Sequence, residues 1–263
     1  MIKRTFMKFI SCILFVSLFH FKVFSQNYFQ QDVKYTINVT LNDRQHILTG
    51  AEELSYKNNS SVSLNELFFH LYPNAYKNTS TILAQELFNS GSATMMEAEV
   101  KDLGYIDSLD FKVDGIKAEW SLLKDTIDIC RIKLNKPLLP GESILISTPF
   151  KIKIPSDQLS RLGHNGQAYF ITQWFPKPAV FDKNGWNYFC YMDKGEYYSE
   201  FGSFDVSITL PANYVVGATG EMVNGEQELA WLDNKAKETS AISEFPDEMD
   251  FPASSDSMKT LRF

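Results

Sequence analysis

Residues 170–186 read FITQWFPKPAVFDKNGW, and the fold turns on how this stretch is taken. Two of the four Trp of the chain fall in it, beside Phe170, Phe175 and Phe181. Pro176 and Pro178 lack N–H donors and fix φ, so the path is extended or turned. Asn184 and Gly185 mark a tight turn. The stretch is too rigid for a linker and too broken for a central strand. Two readings stay open: an aromatic-walled surface held by strands on either side, or an irregular piece of core.

The flanks are strand-like. Over residues 34–41, Tyr35, Ile37, Val39 and Leu41 alternate with Lys34, Thr36, Asn38 and Thr40, the period of a half-buried strand. Asn42 and Asp43 turn the chain into a second strand over 46–56. Gly50 inside that strand points to a bulge or a close backbone approach. A third strand is predicted over 64–71. Residues 79–88 form the one short helix, capped by Thr79 or Ser80. Strands follow over 105–113, with a hairpin turn at Asp114-Gly115, then over 126–134 and 143–154. Beyond the aromatic stretch, strands are predicted over 196–210, 214–219 and 228–232. Residues 233–257 read as a solvated loop, and 259–263 as the start of another strand. The fold class is mainly β, with long loops.

The chain has 263 residues, 44% apolar and 22% charged, enough for a sizeable core. A net charge of −7 with no basic stripe argues against nucleic acid as a partner. Lys3, Arg4 and Lys8 precede an apolar run over 9–19, and Val23 and Ser25 suit a signal peptidase. A leader is therefore expected over 1–25, cleaved before Gln26. The product is exported, periplasmic or secreted, with no membrane attachment after cleavage. Cys130 and Cys190 are left, in no zinc-binding spacing. Two buried free thiols are expected, although one disulfide is arithmetically allowed.

Chemistry is sparse. His46, His70 and His164 are far apart in sequence, and none has a helical partner four residues away. His46 and His70 fall within strands, as structural side chains; His164 sits on a Gly-flanked loop. Glu52 and Glu53 point to opposite faces of a strand and read as solvated. No nucleophile elbow, phosphate loop or H-E-x-x-H helix occurs.

Several pieces in order carry a resemblance. They are residues 35–41 (YTINVTL), 48–53 (LTGAEE), 56–59 (YKNN), 67–75 (LFFHLYPNA), 172–176 (TQWFP) and 215–220 (VVGATG). This set resembles the N-terminal β-domain of zinc aminopeptidases of the aminopeptidase N family, most of all a bacterial secreted subgroup. The resemblance implies a saddle-like antiparallel β-sheet sandwich packed on a separate catalytic domain. It implies zinc in the full-length protein, none bound by this chain, and a peptide substrate. In that family a Gln or Glu just after a Thr-Gln pair meets the substrate's N-terminal end. Thr172-Gln173 matches the pair. Phe175 stands where the acidic or amide residue is expected, a departure, and the segment to Phe181-Asp182 is short. Gln173 is thus the expected substrate contact, a neutral group near the amine, with Trp174 and Phe175 as pocket walls. The alternative is that Gln173 only satisfies backbone groups and the two aromatics are core.

Two functions from different classes remain. One is the substrate-side domain of an exported zinc aminopeptidase, inactive alone, whose own catalytic domain is the missing partner. The other is a self-sufficient extracytoplasmic β-module that binds peptide or glycan through its aromatics. The strand-like run at 259–263 favours the first, a fragment broken as it re-enters a sheet.

Overall fold

The computed structural model describes residues 28–195, 197–223, 225–245 and 251–263. The expected leader over 1–25 lies outside them. Two sheets dominate. β1 (Asp32–Asn42) and β2 (Ile47–Lys57) form the predicted hairpin, Tyr35 opposite Leu54 and Val39 opposite Gly50. β1 alternates exposed and buried along its whole length. The remaining strands are β3 (Leu64–His70), β4 (Tyr105–Asp107), β5 (Lys112–Val113), β6 (Ile116–Lys117), β7 (Glu119–Leu123) and β8 (Thr126–Leu138). After them come β9 (Ser143–Lys153), β10 (Gly163–Asn165), β11 (Ala168–Phe170), β12 (Lys177–Pro178), β13 (Val180–Asp182), β14 (Gly185–Asn187), β15 (Gly202–Pro211) and β16 (Met258–Arg262). The large sheet runs β16, β15, β1, β2, β9, β5, β6, with β4 also on β9. The small sheet runs β12, β3, β8, β7.

The main core lies between these sheets. Leu54, Tyr56, Phe150 and Ile152 come from one side, and Leu67, Phe69 and Ile132 from the other, all buried. Phe69 meets Phe111 with ring centroids 5.4 Å apart. A second core gathers Tyr72, Tyr76, Leu83, Leu87 and Tyr191 around the 3-10 turn Tyr72–Tyr76 and the helix Ile82–Asn89. That helix is capped by Thr81, whose Oγ1 accepts from the Ala84 N–H and donates to the Ala75 carbonyl at 2.7 Å. The cap is one residue later than expected.

Pairing is antiparallel almost throughout, but β1 and β15 run parallel, Tyr35 opposite Phe204 and Val39 opposite Ile208. Alternation tells which face a residue takes and says nothing of strand direction. Gly50 makes no bulge, since register is continuous on both sides. It is a close approach instead: a Cβ there would lie 2.6 Å from Phe150 Cζ and 2.7 Å from the Asn38 carbonyl oxygen. The Asp114-Gly115 hairpin is present, with φ of 50° and 78°, as a two-residue primed turn requires.

Four expectations are corrected. Residues 228–232 are not a strand, and 233–240 are not loop. Both belong to a helix, Glu226–Ser240. Its Glu, Gln, Ala, Leu and Lys residues are good helix formers, and Glu226, Glu228 and Lys237 suit its dipole. It buries no residue, so no apolar stripe announced it. Its first turns are tied to β16, where Lys259 Nζ lies 2.6 Å from Glu228 and 4.5 Å from the Trp231 ring centroid. Residues 214–219 form no strand, and β15 starts only at Gly202.

Candidate functional site

The chain enters the candidate site from the β10–β11 hairpin and leaves by β12, which pairs Lys177 with His70 and Pro178 with Phe69. Between them, residues 171–176 form no regular element. Trp174 packs edge-on against Phe150 at 5.8 Å and Phe175 at 5.4 Å, and touches both cores. Phe175 meets Tyr35 at 5.3 Å and Phe204 at 6.0 Å, and those two rings stack at 4.6 Å. The aromatics of 170–186 thus serve the core and its rim together. Trp174, Phe175, Phe181 and Trp186 are half-buried against the main core, while Phe170 is exposed.

Gln173 is one of four described non-glycine residues at positive φ, at 50°. For a residue with a Cβ this costs on the order of 1–2 kcal/mol, so its surroundings hold it there. The amide explains how. Lys177 Nζ donates to Gln173 Oε1 at 2.8 Å and to Ser199 Oγ at 2.7 Å, and lies 5.5 Å from the Tyr72 ring centroid. Gln173, Lys177 and Ser199 are all half-buried and reachable from solvent. Sequence reasoning missed Lys177 and Ser199. Pro176 breaks any helical link between 173 and 177, and Ser199 arrives from residues that form no regular element.

Burial pushes the Lys177 ammonium down to about 8. His70, opposite it on β3, is held down to about 3 by burial and then by the Lys177 charge, so it is a neutral imidazole. It stacks on Tyr72 at 4.6 Å, and neither ring nitrogen has a hydrogen-bond partner among the described residues.

Two further groups depart from the sequence reading. His46 and His164, distant in sequence, stack face to face with centroids 3.5 Å apart and planes 8° from parallel. His46 Nδ1 bonds Tyr169 Oη at 2.8 Å, and Tyr169 donates to the Asp43 carbonyl at 3.1 Å. Burial lowers both imidazoles, His164 to about 4, with His46 and Lys153 adding to the effect on His164. Glu52 is not solvated. It lies on the core face of β2, 2% exposed, and burial raises its pKa well above the ordinary carboxylate range. Glu200 is raised to about 7, by burial first and then by Asp182. Cys130 and Cys190 are free, buried thiols.

These residues do not fit a zinc ion. Among the described residues no group of three or more His, Cys, Asp or Glu could hold a metal. The His46 and His164 rings lie face to face, and among the described residues no third ligand joins them.

No protein-family model matches the sequence, and no curated protein matches it. Among solved structures, the chain is similar to an M1 zinc metallopeptidase from Deinococcus radiodurans. Identity is 14% and the TM-score 0.43, over 89% of this chain and 38% of that one. A variant of that enzyme bound to a Tyr-Ser-Ala substrate gives 15% identity and a TM-score of 0.44, over 89% and 39%. Native yeast LTA4 hydrolase gives 14% and 0.34, over 73% and 26%. The chain therefore spans about two fifths of the length of the Deinococcus structures it matches.

Proposed function

We propose that this chain is the substrate-side β-domain of an exported, zinc-dependent aminopeptidase that removes N-terminal residues from peptides, and that it is inactive alone. The zinc ligands belong to a catalytic domain outside this sequence, and no step of the chemistry is assigned to residues described above. The observation that carries the reading is the Thr172-Gln173 turn. A half-exposed amide is held at positive φ where two cores meet, between Trp174 and a half-buried lysine. Strain of this kind concentrates where a chain must present a group to a ligand. In this role Gln173, Trp174 and Phe175 meet the N-terminal residue of the peptide.

The purified chain, incubated with aminoacyl-anilides with and without Zn²⁺, is expected to release no product. Zinc-dependent release would refute the placement of catalysis elsewhere. Sequencing the gene beyond the Phe263 codon supplies a second test. An H-E-x-x-H helix supports the proposal, and an immediate stop codon leaves the peptide- or glycan-binding module in its place.

A further inference from the structure

Lys177 is a cation with no counterion among the described residues. Among the described residues no carboxylate lies within ion-pair distance of its Nζ. Its two bonds go to neutral acceptors, Gln173 Oε1 at 2.8 Å and Ser199 Oγ at 2.7 Å. An ammonium has three N–H donors, so one is left. The acceptors are spent in a particular way. With Gln173 Oε1 and Ser199 Oγ both turned to the ammonium, the amide NH₂ and the hydroxyl hydrogen point away from it. Among the described residues nothing accepts from either. Three kinds of donor without an acceptor among the described residues therefore lie in one half-buried neighbourhood, with the Tyr72 ring centroid 5.5 Å from the ammonium. A cationic amine brought there meets an ammonium and a surplus of N–H and O–H groups. A carboxylate meets complementary charge and a matching set of hydrogen bonds, the strong, charge-assisted kind.

We infer that Lys177, Gln173 and Ser199 form a cradle for the side-chain carboxylate of an acidic N-terminal residue, Glu or Asp. The inference rests on the peptide-binding role given to this turn under the proposed function and adds the substrate class. The buried aliphatic stem and the strained Gln173 backbone fix the donors before the ligand arrives, which lowers the ordering cost of binding. Lys177 then acts as a specificity-determining residue and leaves the bond-breaking chemistry to other groups.

An acetylation footprint tests this on the chain as it is, without a variant that has to fold. At pH 8 a fraction of Lys177 is neutral and reacts with acetic anhydride, and a bound carboxylate holds it charged. Modification at Lys177 is read by peptide mass spectrometry against the exposed Lys101 in the same sample. The probes are Glu-Ala amide, its isostere Gln-Ala amide, and sodium acetate. At a peptide concentration three times its Kd, Glu-Ala amide is expected to slow acetylation of Lys177 about fourfold, with Gln-Ala amide and Lys101 unchanged. Equal protection by both peptides, or none by either, overturns the carboxylate cradle. Protection by acetate as strong as that by Glu-Ala amide keeps the cradle and removes the peptide reading beneath it, so the two failures are told apart.

Discussion

Gly50→Ala is the substitution whose cost is most directly worked out from the structure. Gly50 sits in β2 between β1 and β9, opposite Val39 and Phe150. A methyl group there would lie 2.6 Å and 2.9 Å from two atoms of the Phe150 ring and 2.7 Å from the Asn38 carbonyl oxygen. The ring can rotate in part, but it is 1% exposed and leans on Trp174. The carbonyl is fixed in the β1–β2 ladder. Overpacking of this kind costs about 1–3 kcal/mol, offset by roughly 0.4–1 kcal/mol from the lower freedom of the unfolded chain. A net loss of about 1–2 kcal/mol lowers Tm by about 2–8 °C for a domain of this size. Because the displaced ring carries Trp174, the fluorescence of the folded state is expected to shift as well. Gly217→Ala is the control: nothing lies within 4 Å of its added methyl, and its φ is not positive. It is expected to leave Tm within about 2 °C. Thermal and urea unfolding of the two variants decide the matter. A Gly50→Ala protein as stable as the parent, with an unchanged spectrum, would show that the close approach of β1, β2 and Phe150 is not as described.

Two predictions concern protons. His70 and His164 are held at about 3 and about 4, below the 6.5 of an unfolded histidine. The unfolded chain then binds protons first as pH falls, so stability is lost progressively from about pH 6.5 down to about 4 for His164 and about 3 for His70. His164→Phe keeps a ring against His46 and is expected to reduce the loss between pH 7 and 5 by about 1 kcal/mol, allowing for the exposure of His164; an unchanged pH profile of Tm counts against the stack. Glu200 has the opposite sign. Its folded value, about 7, lies above the ordinary 4.5, so its contribution falls as pH rises through that window. Glu200→Gln is expected to stabilise the protein at pH 8 by about 1 kcal/mol after solvent screening is allowed for, and to be neutral at pH 4; a gain of equal size at both would remove the titration argument.

What the sequence made legible is what side-chain alternation and turn chemistry encode. β1, β2 and β9 are visible because each buries one face, and Asp114-Gly115 because two successive positive φ values leave few alternatives. The helix Glu226–Ser240 was hidden because it buries no side chain, so its Leu and Trp residues carried no helical period. The parallel pairing of β15 with β1 was invisible for a different reason. Both strands show the same alternation whichever way they run. At the candidate site, Gln173 and its aromatic neighbours were found, but the partner that holds the amide was not. Lys177 reaches it across Pro176 and Ser199 from a separate segment, and no local spacing encodes such a meeting. The His46–His164 stack and the burial of Glu52 were likewise tertiary facts, created when the chain closes on itself.

The parallel register of β1 with β15 has a consequence for synthesis on the ribosome. Val33 finds its neighbour at Gly202, 169 residues later. Until that neighbour emerges, one edge of the hairpin offers bare amides and carbonyls beside Val33, Tyr35 and Ile37, an invitation to wrong partners. Nascent chains that stall before Gly202 are therefore expected to aggregate more readily than chains in which the fifteenth strand has docked.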